Sequence, residues 1–271
     1  MTEAVATAPI SSRGLGESAL NAATTLWFFV TLAGQWVFLY YIVAFYGPGA
    51  MSGDFESWNR HPMVHAITPG DIGGNIAFAA HVALAAIIVV GGTFQLIPQL
   101  RRHAPAVHRW NGRAFIVSAM LASLAGLYMV WIRGGSTGGI INAISISTNA
   151  AMVLTFGALA WRAAAKRNIF SHRRWALRTF MVTNGVFFLR LAFSGWIIIT
   201  QSEPSALTFH TITAISFLLP LALTELYLRA KDGGGGAQLA MSGVVFAATA
   251  YMTLGLFGFY MIFVRSILGA A

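Results

Sequence analysis

Polar and apolar positions along this chain segregate into long blocks. After a stretch of small and polar residues come seven apolar runs, over 26–46, 75–97, 112–132, 140–161, 180–200, 207–228 and 239–267. Each is long enough to cross the ~30 Å hydrocarbon core of a bilayer as a helix, which takes ~20 residues. None alternates with a period of two, and all are too long for barrel strands. The expected fold class is therefore all-α: a polytopic transmembrane bundle of about seven helices. The fourth run is the most polar, with Asn142, Ser145, Ser147, Thr148 and Asn149, so its neighbours should shield it from lipid. Residues 1–22 lack the basic stretch and apolar core of a signal peptide and read as a disordered cytoplasmic tail. Residues 23–271 then form one transmembrane domain. The glycine run at 233–236 reads as a flexible hinge, with the last helix, 239–267, appended behind it.

Composition sharpens this picture. Hydrophobic residues make up 57% of the 271 and charged residues only 9%, against roughly 25% charged in soluble domains. Such a chain cannot cover a water-facing surface, which excludes a soluble enzyme, a nucleic-acid reader and a disordered protein. There is no cysteine, which excludes disulfides, thiolate metal sites, iron–sulfur clusters and covalently attached haem. The net charge of +9 follows topology. Arg101, Arg102, Arg109 and Arg113 flank the connection between the second and third runs. Arg162, Lys166, Arg167, Arg173, Arg174 and Arg178 flank the one between the fourth and fifth, and Arg229 and Lys231 follow the sixth. With an odd number of helices these share one side, and Arg60, Arg133 and Arg265 fall on the other. The positive-inside rule then puts the N-terminus in the cytoplasm and the C-terminus outside. The partner implied is the lipid bilayer, with anionic head groups at the basic face, and not nucleic acid.

Two connections on the basic side resemble each other: His108-Arg109-Trp110-Asn111-Gly112-Arg113 and His172-Arg173-Arg174-Trp175-Ala176-Leu177-Arg178. Each has His-Arg, then Trp, then Arg three residues on, just before an apolar run. They suggest repeated hairpins. Together with His81, Gln95, Arg101 and Arg190, these motifs resemble the bacterial membrane-protein family DUF2306 over roughly residues 75–230. One departure is Ala176-Leu177, where a Met-Ile-like pair is expected. The resemblance implies a multi-pass protein of a bacterial cytoplasmic (inner) membrane and supplies no activity. A looser likeness, to cytochrome b561-type haem bundles, rests on histidines within transmembrane helices.

The histidines carry the candidate chemistry. His81 and His210 lie at similar depth near the outer side and are candidate axial ligands of one haem b. His108 and His172 occupy equivalent repeat positions at the inner side and are candidates for a second, with Arg109, Arg113, Arg173 or Arg178 pairing its propionates. The competing readings are a hydrogen-bonded neutral His81, an interfacial His210, and His-Arg-Trp as an interfacial anchor. His61 and His65, spaced i, i+4 beside Asp54, Glu56 and Asp71, have the spacing of two metal ligands. Arg190 lies mid-membrane on one stripe with Thr183 and Ser194, and must face the bundle interior. Glu225 is its candidate ion-pair partner. Arg190 and Glu225 could instead form a ligand site with Asn142, Asn149 and Asn184. Lys166 and Lys231 both lie in connections, so no lysine is available for a retinal Schiff base. Three functions follow: a haem-b electron-transfer protein with quinol as its candidate donor; a transporter or small-molecule binding protein using the buried Arg/Glu/Asn groups; or an anchor subunit among other membrane subunits.

Overall fold

The computed structural model describes residues 12–60, 65–134 and 138–268, which are helical with no strand among them. In chain order the helices are α1 (Ser12–Ser52), a 3₁₀ turn (Phe55–Arg60), α2 (Ile72–Leu96), α3 (Pro98–His103), α4 (Pro105–Trp131), α5 (Gly139–Ala165), α6 (Ile169–Thr183), α7 (Gly185–Thr200), α8 (Ala206–Asp232), α9 (Gly235–Phe259), a π-helical turn (Tyr260–Val264) and α10 (Arg265–Leu268). Local chemistry sets several starts. The side chains of Asp71, Asn168 and Ser205 accept from the first-turn N–H groups of Gly74, Ser171 and Thr208, the N-cap arrangement. Proline opens α3 and α4, where its missing N–H costs nothing.

Six helices are long and apolar enough to cross a membrane, and α6 and α7 together make a seventh candidate, bent by 49°. Two contacts decide that the bent pair is one pass. Arg174, near the start of α6, pairs with Asp232 at the end of α8 at 2.8 Å. The end of α7 joins the start of α8 through residues 201–205. The pair therefore runs the length of α8, 27 residues or ~40 Å. The described residues thus make seven passes, and their two ends lie on opposite faces. The face carrying residues 53–71 is called the loop end below, and the opposite face the basic end. Arg101, Arg102, Arg109, Arg113, Arg162, Lys166, Arg167, Arg173, Arg229 and Lys231 are all exposed at the basic end.

Four expectations from the sequence change here. Helix α1 begins at Ser12, well inside the stretch read as a disordered tail, because Leu20 packs against Ala230 and Met241 at the basic end. Residues 1–11 lie outside the described residues. Helix α1 also runs through Pro48 to Ser52: the Trp58 indole N–H folds back to donate to the Tyr46 carbonyl at 2.9 Å. Gly233 and Gly234 alone make the turn between α8 and α9, and Gly235 and Gly236 already belong to α9, so the run is a tight turn rather than a flexible hinge. A side-chain carbon on Gly16 would collide with the Gly235 carbonyl, so small residues are needed there for close approach. Nor is α9 an appendage. It packs along α1 and α7, so closely that a side-chain carbon on Gly255 would meet the Leu191 carbonyl.

Polar side chains on the fourth run behave as expected with one exception. Asn142, Ser145, Ser147 and Asn149 are shielded, whereas Thr148 is exposed and returns its hydroxyl to the Ile144 carbonyl at 2.8 Å. Over the loop end, Arg133 acts as a clasp, its side chain only 9% exposed. It pairs with Asp71 at 2.9 Å and donates to the Ala66 carbonyl, Thr68 Oγ1 and Asn75 Oδ1. Behind the clasp, Phe38, Tyr41, Tyr46, Trp58, Phe78, Phe187 and Phe259 form the main aromatic core.

Candidate functional site

The helix break in the fifth of these passes, between α6 and α7, organises the site. Asn184 has the short polar side chain that competes with helical hydrogen bonds. Its Nδ2 donates to the Phe180 carbonyl at 2.8 Å, and its Oδ1 accepts from Gln35 Nε2 at 2.9 Å. Gly185 follows, and a side-chain carbon there would press on Phe217 and Asn149. The Val182 carbonyl is held by Asn149 Nδ2 at 2.9 Å. Irregular backbone at membrane depth persists only where protein groups satisfy it: Asn149 of α5 and Asn184 itself cover two carbonyls here, and Gln35 of α1 holds the Asn184 side chain in place.

Beside the break lies a partly open cavity of about 220 Å³ lined by α2, α4, α5, α6, α7 and α8, with Phe38 of α1 on one wall. Its polar lining includes His81, Asn142, Asn149 and Thr183. The Thr183 hydroxyl is buried and makes no hydrogen bond. His81 Nδ1 lies 2.9 Å from the Ala122 carbonyl oxygen. A carbonyl only accepts, so Nδ1 carries the hydrogen, and in a neutral ring Nε2 is left as an acceptor. No Asp, Glu, Lys or Arg lines the cavity.

The predicted site residues distribute unevenly around it. His81 lines the cavity and His210 does not. His210 packs beside Gly138 and Asn142 with its Nδ1 buried and without a hydrogen bond. Of the two, only His81 borders this cavity. At the basic end, His108 and His172 are near enough for their charges to interact. His172 Nδ1 bonds the Ala160 carbonyl at 3.0 Å, while His108 Nδ1 is buried without a partner. The two His-Arg-Trp motifs share one local contact. Arg113 stacks on Trp110 and Arg178 on Trp175, each at 4.7 Å from the ring centre, within cation–π range.

The expected ion pair is not formed. Glu225 takes Arg178 in a bidentate contact of 2.5 and 2.8 Å, and Arg190 has no carboxylate partner among the described residues. The reason is depth: Arg178 lies near the basic end, level with Glu225, while Arg190 lies past the bend. Arg190 instead rests on the Phe38 ring at 4.9 Å, with Tyr41 beyond at 5.9 Å, and donates to the Val186 carbonyl at 3.3 Å. Of the haem-propionate candidates, Arg178 is thus engaged with Glu225, whereas Arg109, Arg113 and Arg173 are exposed. His65 is exposed at the loop end and His61 lies outside the described residues. Asp71 is held by Arg133 and by the Gly74 N–H. Among the described residues no group of three His, Cys, Asp or Glu side chains is placed to hold a metal.

Compared with protein-family models, residues 78–228 match DUF2306, described as a predicted membrane protein. The chain belongs to this family. The DUF2306 region runs from α2 to the end of α8 and contains every cavity-lining residue except Phe38. Helices α1 and α9, which pack on each other, flank it. No curated protein and no solved structure matches the chain. Sequence reasoning missed two residues that build this region, Gln35 and Arg133. The signal for Gln35 was a lone amide within the first apolar run.

Proposed function

We propose that this DUF2306 protein binds a small uncharged molecule inside the bilayer, in the cavity beside the broken pass, from which it is carried or presented across the membrane. The observation that supports it is the coincidence of a helix break, a cavity and a neutral polar lining in one place. Membrane carriers build substrate sites at discontinuous helices, and an uncharged lining suits an uncharged ligand. Arg190 and Glu225 take no part in this version of the site. Native mass spectrometry of protein released from its own membranes tests it. The unaltered protein should retain a small molecule that Ala150→Phe, which fills the cavity, loses. Ser145→Phe, on a less buried part of the wall, serves if Ala150→Phe misfolds. Identical spectra with no bound molecule would sink the proposal.

A second reading, haem-b electron transfer linked to quinol, is favoured by one observation. His81 and His172 each direct Nδ1 at a backbone carbonyl, the way metal-ligating imidazoles are oriented. The outer pair fits poorly: ordinary ligand pockets start near ~300 Å³, above this cavity's 220 Å³, and His210 stands outside it. A reduced-minus-oxidised spectrum of the purified protein decides, and a colourless preparation from haem-replete cells ends that reading. For orientation we assign the basic end to the cytoplasm of a bacterial inner membrane, on the exposed arginines gathered there. Reporter fusions after Arg167 and after Ala271 should report opposite sides, the first cytoplasmic.

A further inference from the structure

The cavity lining offers several hydrogen-bond acceptors, with the unpaired Thr183 hydroxyl as a donor beside them. His81 Nε2 is an acceptor for the reason given above. Asn149 spends an Nδ2 hydrogen on the Val182 carbonyl, which leaves its Oδ1 as an acceptor. Ser123, Thr213 and Ser216 also line the cavity. Each has donated its single hydroxyl hydrogen to a carbonyl of its own helix: Ser123 to Ala119 at 2.9 Å, Thr213 to Phe209 at 2.9 Å and Ser216 to Thr213 at 2.7 Å. What these oxygens still offer is lone pairs. A carbonyl-bearing molecule can accept from Thr183 but leaves His81 Nε2 unmet, whereas a hydroxyl both donates and accepts. A molecule with a hydroxyl would satisfy groups that otherwise stay unmet at membrane depth, where each is costly.

Size and walls narrow the class. An apolar cavity of about 150 Å³ holds one benzene, so 220 Å³ has room for one substituted ring. Phe38, Phe187, Phe209 and Phe217 line it, and aromatic faces suit an aromatic guest. We propose that the cavity takes a single-ring phenol, the head of a hydroquinone included, with its hydroxyl donating to His81 Nε2. This rests on the pocket reading above and adds to it a chemical class and a preference for the hydroxyl over the carbonyl form.

The test uses the full chain purified in detergent and two probes, 4-methylphenol and its methyl ether, titrated by ligand-observed NMR. The ether keeps the ring and the oxygen and lacks the donated hydrogen. The phenol should bind about tenfold more tightly, the scale of one buried hydrogen bond. His81→Phe should remove most of that preference, and Ser216→Ala should lower it less. Should His81→Phe misfold, the probe ratio on the unaltered protein still decides. Equal binding of the two probes overturns the phenol assignment and leaves the pocket reading standing. Binding of neither also overturns it, and the comparison with Ala150→Phe then tells whether the pocket reading falls as well.

Discussion

Helices α6 and α7 are the two halves of one pass, and they hold their arginines by different means. In α6, Arg174 and Arg178 meet carboxylates, Asp232 and Glu225, and Arg178 also stacks on Trp175. In α7, Arg190 meets no carboxylate and lies over Phe38 and Tyr41. Near an interface, water tempers the cost of bringing two charges together, so an ion pair can form without deep desolvation. Deeper in, a carboxylate would be a second buried charge to accommodate. An aromatic face and a helical carbonyl hold the guanidinium without one. Between the halves, at Asn184, the chain uses neither device and relies on neutral amides. One pass thus shows three solutions to polarity, ordered by depth.

The largest test of that ordering is at the neutral centre. Asn184→Leu orphans the Gln35 amide, which is 1% exposed, and should cost about 2 kcal/mol, read from thermal unfolding in detergent. The double variant Gln35→Leu/Asn184→Leu should recover most of this loss, since removing both partners leaves nothing unsatisfied. A double variant as unstable as the single would show that the amide pair is not what holds the bend. Next comes the interface half. Glu225 is 36% exposed and Arg178 16%, so solvent screens the pair. Glu225→Gln should cost about 1 kcal/mol, and the gap from the unaltered protein should narrow as salt is raised. A gap indifferent to salt would place the pair in a drier setting than its exposure indicates. The smallest effect belongs to Arg190. Arg190→Leu gives up a cation–π contact of about 0.5–1 kcal/mol and also removes a charge from the bilayer. The net change in unfolding free energy should stay under about 1 kcal/mol, and 4-methylphenol binding should not change. Lost binding in a well-folded Arg190→Leu protein would return that arginine to the site.

The passes were legible because length and hydropathy set them, and the comparison of α6 with α7 shows where legibility stops. The apolar run at 180–200 was visible, but its helix begins at Ile169. Hydropathy counts the basic residues of α6 as connection although they continue the same helix. Asn184 and Gly185 are weak helix formers, yet the bend also needs Gln35 and Asn149 to hold it, and both come from other helices. The pairing of Glu225 with Arg178 rather than Arg190 turns on depth, which a sequence gives only to within a turn or so. His81 stood out as an ionisable group inside the bilayer. Its hydrogen-bond polarity depends on the Ala122 carbonyl of another helix, and no spacing within α2 encodes that.

The contact between Gln35 and Asn184 also sets a timetable for biosynthesis. The two residues are 149 positions apart. At about 5–20 residues per second of synthesis, Asn184 follows Gln35 by roughly 7–30 s. Helix α1 is therefore made before the broken pass and waits with an amide whose partner has not been made. Its long neighbour α9 is made later still. During that interval a chaperone, the insertion machinery or another polar helix has time to engage α1, and a helix made early is among the last to reach its final contacts.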